Sequence, residues 1–207
     1  MKPADHDFVF NNICRLSDVL RTECETLCEI IDFEYDIEVI ARKVSALEDD
    51  ADNIYHEITY YYVEKRLADD KEAMMILTIA DAIEETTDLV DELARDLIRY
   101  NITSIKDNAF SSIKSCGSAA NKLIELINTV RKNSKVDSPY KKIIELDHFK
   151  VENNKVYDNQ MRKLFTNEKD PIEVIKWKDI YASLRSIFVS YEHISDLCGK
   201  YLFFKGW

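Results

Sequence analysis

The scarcity of helix-breaking residues constrains this chain more than any other feature of its sequence. Its 207 residues include only three glycines and three prolines. Pro3, Pro139 and Pro171 all stand where a helix can begin, because proline fits the first turn of a helix and breaks its interior. We therefore expect long helices joined by short links.

Apolar residues recur at the three- and four-residue steps typical of amphipathic helices. Six such stripes follow one another, and no segment fits a strand better. The stripes begin near Ile13, Ile37, Ile76, Phe110, Ile143 and Ile172. The second is the most regular, because it keeps a heptad-like alternation up to Ile58. The sequence predicts an all-α fold of six long helices.

The same order of helices occurs twice, about 100 residues apart, which is typical of a duplicated small bundle. In each half a long helix and a second helix precede an acidic capping residue and a third helix. Asp69 or Asp70 is the cap in the first half and Asp170 in the second, each placed to accept hydrogen bonds from free N–H groups. We expect two pseudo-repeated three-helix bundles, residues 1–104 and residues 105–207, within one compact domain.

Other helix ends are marked by polar segments. The stretch from Asp32 to Asp36 separates the first two helices, and residues 101–106 link the third to the fourth. Ser138 is expected to cap the fifth helix, with Pro139 as its first residue. These polar segments therefore mark where one predicted helix ends and the next begins.

The formal net charge of −11 argues against a nucleic-acid partner, since the overall field repels phosphate backbones. No run of about 18 apolar residues is present to cross a bilayer. The segment MKPADHDFVF lacks the basic-then-apolar pattern of a secretory signal. We therefore expect a cytoplasmic protein without a transmembrane segment.

Acidic residues are densest on the second and third predicted helices. Glu48, Asp52 and His56 are four residues apart, so they line one side of the second helix beside its apolar stripe. On the third helix Glu84 and Asp88 are likewise four residues apart, as are Asp81 and Glu85. If the two helices are antiparallel neighbours, their carboxylates face one another.

Facing rows of carboxylates repel, so they need either full solvation or a cation. Carboxylates together with an imidazole suit iron, zinc, manganese or nickel, as a divalent or ferric ion. Rows of Glu and Asp on long helices are also common as plain solvated faces. The residues alone leave both interpretations open.

No catalytic or cofactor-binding residues are recognisable. The chain contains no GxSxG motif, no glycine-rich phosphate loop and no Ser, His and Asp set in a familiar context. We therefore expect a protein that is not an enzyme.

Three segments resemble the PhoU-like family. They are LEDDADNIYHEI, IEETTDLVDELARDLIRYN and VYDNQMRKLFTNEKDPIEVIKWKDIY, and the likeness is most specific from Leu164 to Tyr181. The closer resemblance is to a short branch of that family, often paired with inorganic-phosphate transporters of the Pit type. The resemblance extends over nearly the whole chain.

The resemblance implies a six-helix fold of two three-helix bundles and a regulatory or accessory role in phosphate transport. It also implies surface metal clusters held by acidic ExxxD motifs. Glu48 and Asp52 match such a motif and His56 follows it, while Glu84, Glu85 and Asp88 match the acidic trio of the next helix.

The second half departs from this pattern. The positions that resemble its acidic motifs are Lys150 and Asn154 on the fifth helix and Arg185 and Val189 on the sixth. A lysine and an arginine there would repel a cation, although Glu192 and His193 are retained. Any second metal cluster is therefore expected to be lost or much altered.

The leading hypothesis is a phosphate-transport regulator that docks on a transporter or signalling protein at the cytoplasmic membrane face. A carboxylate-rich metal store or enzyme is one alternative, which would need inward ligands from four helices. A plain helical scaffold is another, in which the aromatic segment YLFFKGW forms a homo-oligomer contact.

Overall fold

The computed structural model describes residues 1–31, 36–132 and 139–206, and these residues form long α-helices. The helices are α1 (Pro3–Cys28), α2 (Ile37–Lys65), α3 (Lys71–Arg99), α4 (Asp107–Lys132), α5 (Pro139–Asn167) and α6 (Pro171–Phe204). Short 3-10 turns, Glu29–Ile31 and Leu67–Asp69, follow α1 and α2. The described ranges contain no strand, so the prediction of an all-α fold with six long helices is confirmed.

The third helix of each half begins at an aspartate cap. Asp70 accepts a hydrogen bond from the backbone N–H three residues on, at 3.0 Å. Asp170 accepts one from the N–H two residues on, at 2.9 Å, and Pro171 is the first residue of α6. Both predicted caps are confirmed; Ser138 lies outside the described residues, although α5 does begin at Pro139.

The first helix is longer than its apolar stripe predicted. Helix α1 begins at Pro3 rather than near Ile13, with the proline in the first turn. Val9 and Phe10 are fully buried and extend the apolar face back by one turn. The polar start of the chain hid this extension, because its few apolar residues stand among Asp, His and Asn.

The helices pack as two triplets that share one hydrophobic core. Helices α1, α2 and α3 contact one another, as do α4, α5 and α6. Contacts of α1 with α4 and of α3 with α6 join the triplets, and the buried apolar residues form a single cluster. Division of the chain at residue 104 stays a prediction.

The aromatic segment near the end of α6 divides between core and surface. Tyr201 and Leu202 are buried, and the Tyr201 hydroxyl donates a hydrogen bond to Glu72 at 3.2 Å. Phe203, in contrast, is 80% exposed, and Trp207 lies outside the described residues. Within the described ranges, no helix is apolar enough over a sufficient length to cross a membrane.

Candidate metal centre

Helices α2 and α3 are antiparallel neighbours. The Ser45 hydroxyl near the start of α2 donates to Asp91 near the end of α3, at 2.5 Å. Tyr62, near the end of α2, donates to the carbonyl oxygen of Ala73 at the start of α3, at 2.7 Å. The contacts therefore run in opposite order along the two helices, and the two acidic rows face each other.

Three of the predicted ligands converge between these helices. One carboxylate oxygen from each of Glu48, Asp52 and Asp88 lies within 4.8 Å of the other two. We call these three residues the acidic cluster. Among the described residues, it is the one place where at least three potential ligand atoms of Asp, Glu, His or Cys come this close.

The pKa shifts of Glu48 and Asp88 indicate that the carboxylates of the acidic cluster crowd one another. Partial burial, followed by the charge of Asp52, raises the pKa of Glu48 to about 7. The same two causes raise the pKa of Asp88, while a hydrogen bond from Glu48 opposes the rise. A raised carboxyl pKa means that the charged form is disfavoured. At Asp88 the charge of Arg95 opposes the rise without cancelling it.

Glu84 extends the acidic cluster by one helical turn of α3. Burial and the charges of Asp88 and Asp52 raise the pKa of Glu84 to about 7, and the carboxyl donates a hydrogen bond to Asp52. Neighbouring carboxyl groups that share protons in this way would release the protons on binding a cation.

Glu23 supplies a further carboxyl from the buried side of this region. It lies on α1, which packs against both α2 and α3, and it is 0% exposed. Neither of its carboxyl oxygens has a hydrogen-bond partner among the described residues. Burial raises the pKa of Glu23 to about 10, with additional contributions from the charges of Asp91, Glu48 and Asp88.

An unpartnered buried carboxyl destabilises a fold by about 1–3 kcal/mol, so native proteins rarely keep one without a role. Asp91 shows the ordinary alternative at a neighbouring position. It is as buried as Glu23, but Ser45 donates a hydrogen bond to it and Arg95 forms an ion pair with it. Glu23 has neither kind of partner within the described part of the chain.

The other two predicted ligands lie outside the acidic cluster. His56 is exposed on α2, one turn beyond Asp52. Glu85 is also exposed, and it lines an open cavity between α3 and α6 that Arg185 lines from the opposite helix. The structure therefore brings together Glu48, Asp52 and Asp88, places Glu84 beside them, and leaves His56 and Glu85 apart.

The corresponding face of α5 and α6 carries its own positive charges. Lys150 donates to Glu192 at 2.8 Å, and the Arg185 side chain donates to Asn154 at 2.9 Å. Val189 is exposed on α6. Positive side chains thus occupy the region where the resemblance placed a second acidic motif.

Sequence reasoning missed Glu23 because the apolar stripe of the first helix was traced through its neighbours alone. Glu23 stands between Leu20 and Leu27 at helical spacing, on the face that the stripe buries. A carboxylate within an apolar stripe is the signal that identifies such a residue.

Comparison with solved structures relates this arrangement of helices to a known fold. The chain is similar to the crystal structure of a PhoU-like phosphate regulatory protein from Shewanella oneidensis MR-1, with a TM-score of 0.67. The fold is PhoU-like. The similarity extends over 95% of each chain at 17% sequence identity, so it establishes the fold alone.

Comparison by sequence adds nothing to this result, since no protein-family model and no curated protein matches the chain. The predicted PhoU-like fold is confirmed by the structural similarity. The closer resemblance to the branch paired with Pit-type transporters stays a prediction.

Proposed function

We propose that this PhoU-like chain is a non-catalytic regulatory protein of inorganic phosphate transport. It binds a metal ion at the acidic cluster and docks on a transporter or signalling protein at the cytoplasmic face of the membrane. The observation that carries the metal site is the buried, unpartnered Glu23 carboxyl beside three converging carboxylates. Support for the phosphate role comes from the fold that the chain shares with a phosphate regulatory protein.

The ligands of this site are carboxylate oxygens. Glu48, Asp52 and Asp88 supply the ligands, while Glu84 on α3 and Glu23 on α1 lie outside this group and act on it through hydrogen bonding and charge. Oxygen ligands favour manganese, magnesium or iron over zinc and nickel, which prefer nitrogen or sulfur ligands. A bound cation adds positive charge at the acidic cluster and joins α2 to α3 through one ion.

Docking is supported by apolar side chains that the fold leaves in contact with solvent. Ile172 and Ile175 are 60% and 57% exposed, and their three-residue spacing places them on one face of α6. Phe165, near the end of α5, is 61% exposed. Neighbouring exposed apolar residues are typical of protein interaction surfaces, whereas single ones are ordinary.

Phosphate uptake tests the proposed function directly. We would express the chain in cells that lack their own copy and measure the initial rate of radiolabelled phosphate uptake. Wild type is expected to change the rate, and Asp52→Asn/Asp88→Asn to lose this effect because the site loses two ligands. The matched control, Asp50→Asn/Asp69→Asn, removes two exposed carboxylates and is expected to behave like wild type.

An unchanged uptake rate for every variant, with all proteins expressed and folded, would contradict the phosphate role. If wild type still bound metal under those conditions, a metal store or enzyme would become the better hypothesis. If wild type bound no metal, the plain helical scaffold would become the better hypothesis.

A further inference from the structure

A second polar site lies in the other half of the molecule. An open cavity of about 200 Å³ is bounded by the last two turns of α5, by α6 and by the link before α4. It adjoins the segment from Leu164 to Tyr181, to which the metal site assigns no role. None of its lining residues belongs to the acidic cluster or contributes to the titration of that cluster.

Two polar side chains of largely buried residues line this cavity. Gln160 of α5 is 5% exposed and Tyr181 of α6 is 6% exposed, and both line the cavity. Neither side chain forms a hydrogen bond with any residue in the described ranges. The amide of Gln160 and the hydroxyl of Tyr181 are in contact with the open cavity, so they can donate hydrogen bonds to a molecule that enters it.

The Tyr181 hydroxyl is a hydrogen-bond donor at neutral pH. Burial raises the pKa of Tyr181 to about 12, with no contribution from a neighbouring charge or hydrogen bond. The phenol therefore keeps its proton. The Gln160 amide offers two more N–H donors from the facing helix.

Positive charge exceeds negative charge at the cavity. Lys163 is exposed and forms no ion pair within the described part of the chain. Lys106 lies 3.6 Å from the Glu168 carboxylate and 4.8 Å from the centre of the Trp177 ring. Glu168, the acidic lining residue, also accepts hydrogen bonds from two backbone N–H groups, so its negative charge is already compensated.

The lining residues of α5 occupy a single face of that helix. Gln160, Lys163 and Asn167 are three or four residues apart, with Leu164 between them as the buried apolar contact. Amide, ammonium and phenol groups are together rich in N–H and O–H donors. Their natural ligand is a small molecule with several acceptor oxygens and a negative charge.

We propose that this cavity binds a small oxyanion such as inorganic phosphate. Tyr181 and Gln160 donate hydrogen bonds to its oxygens, and Lys163 balances its charge. The proposal is independent of the metal centre, because the two sites have no residue in common.

Titration calorimetry of the full-length chain with inorganic phosphate, and separately with sulfate, tests the proposal. Wild type is expected to show saturable binding of phosphate with sulfate as a competitor. Tyr181→Phe and Lys163→Met are each expected to weaken binding about tenfold, since each removes one charge-assisted contact. Tyr60→Phe and Lys155→Met change exposed residues of the same types and are expected to bind like wild type.

Circular dichroism and thermal unfolding would establish that each variant is folded. Absence of saturable phosphate binding to folded wild type would overturn the proposal, as would equal affinity in all four variants. Phosphate binding that is lost in Asp52→Asn/Asp88→Asn but kept in Tyr181→Phe would place the anion at the metal centre and would also overturn it.

Discussion

The two outer helix pairs of this protein, α2 with α3 and α5 with α6, carry different polar groups on corresponding faces. Between α2 and α3, three carboxylates converge within 4.8 Å. Between α5 and α6, Lys150 donates to Glu192 at 2.8 Å, and Arg185 donates to Asn154 while its guanidinium lies 5.2 Å from the Tyr157 ring centre. At the first pair, Arg95 forms its ion pair with Asp91 and only partly offsets the crowding at Asp88, whereas positive side chains occupy the corresponding face of the second pair.

Similar helix pairs can therefore differ in how far the chain itself supplies positive charge near their polar groups. In the second pair, Lys150 forms an ion pair with Glu192, and Arg185 is held by Asn154 and the Tyr157 ring. In the first pair, the pKa values of Glu48 and Glu84 are raised to about 7. Groups held away from their ordinary protonation state mark a functional site when they lie together, and a bound cation relieves this crowding.

The largest expected effect comes from placing a lysine in the acidic cluster between α2 and α3, as Lys150 stands between α5 and α6. In Glu48→Lys, the new ammonium group would neutralise the acidic cluster and remove a ligand. Saturating Mn²⁺, at about 100 times Kd, is expected to stabilise wild type by about 2.7 kcal/mol, which corresponds to roughly 5–10 °C in melting temperature. Glu48→Lys is expected to show no such rise in a thermal melt with and without Mn²⁺.

The matched control is Asp50→Lys, which makes the same change of charge at an exposed position of α2. It is expected to keep the response to Mn²⁺. An equal response from Glu48→Lys and wild type would show that the acidic cluster does not hold the ion.

A smaller effect is expected from replacing the unpartnered buried carboxyl. Glu23→Leu substitutes an apolar side chain of similar size, so the metal-free protein is expected to gain about 1–3 kcal/mol of stability. The same variant is expected to bind Mn²⁺ more weakly, because it removes an acidic group whose charge acts on Glu48 and Asp88. Urea unfolding in chelator and calorimetric titration of Mn²⁺ measure the two changes.

Glu25→Leu on the same helix serves as the control, since Glu25 is exposed and forms only a surface ion pair with Arg21. Its effect on stability is expected to stay within about 0.5 kcal/mol. A loss of stability in metal-free Glu23→Leu would show that the carboxyl has a structural partner.

The smallest effect is the part of the pH dependence that Glu48 and Glu84 contribute to the metal-free protein, beside the contribution of Glu23, whose raised pKa gives a slope of the same sign. Glu48 and Glu84 have a folded pKa of about 7 against an ordinary value of 4.5, so the folded state binds more protons between these values. Stability contributed by these groups therefore falls as pH rises from about 4.5 to about 7. After allowance for solvent screening, the loss is about 1–2 kcal/mol.

Urea unfolding in chelator at pH 5 and pH 8 measures this dependence, with Glu48→Gln/Glu84→Gln as reference. The variant is expected to lose less stability than wild type over that range. His6 has a lowered pKa and gives a slope of opposite sign. Because this slope is present in both proteins, the difference between wild type and variant reports the two carboxyls. Parallel pH profiles for both proteins would contradict the raised pKa values.

Periodicity alone was enough to predict the six helices and the facing carboxylates. Asp70 and Asp170 were identifiable as caps because capping depends on residues only a few positions apart. The approach of Asp52 to Asp88 followed from an antiparallel pairing that a short link favours. These predictions depend on local spacing, which a sequence displays directly.

The features that were missed depend on contacts between distant segments. The surroundings of Glu23 depend on the packing of α1 against both acidic helices. Those of Gln160 depend on Tyr181, which lines the same cavity. The positions of His56 and Glu85 could not be deduced either, since a small rotation of a helix decides whether a side chain at its edge reaches a cluster. Spacing along the chain carries no such information.

Calorimetric titration of Mn²⁺, together with elemental analysis of protein purified without chelator or affinity metal, tests the central claim most directly. Wild type and Asp50→Asn/Asp69→Asn are expected to bind about one ion or more per chain, and Asp52→Asn/Asp88→Asn to lose more than about 100-fold in affinity. If wild type bound no metal, or if folded Asp52→Asn/Asp88→Asn bound it as tightly as wild type, the acidic cluster would be a solvated face and not a metal centre.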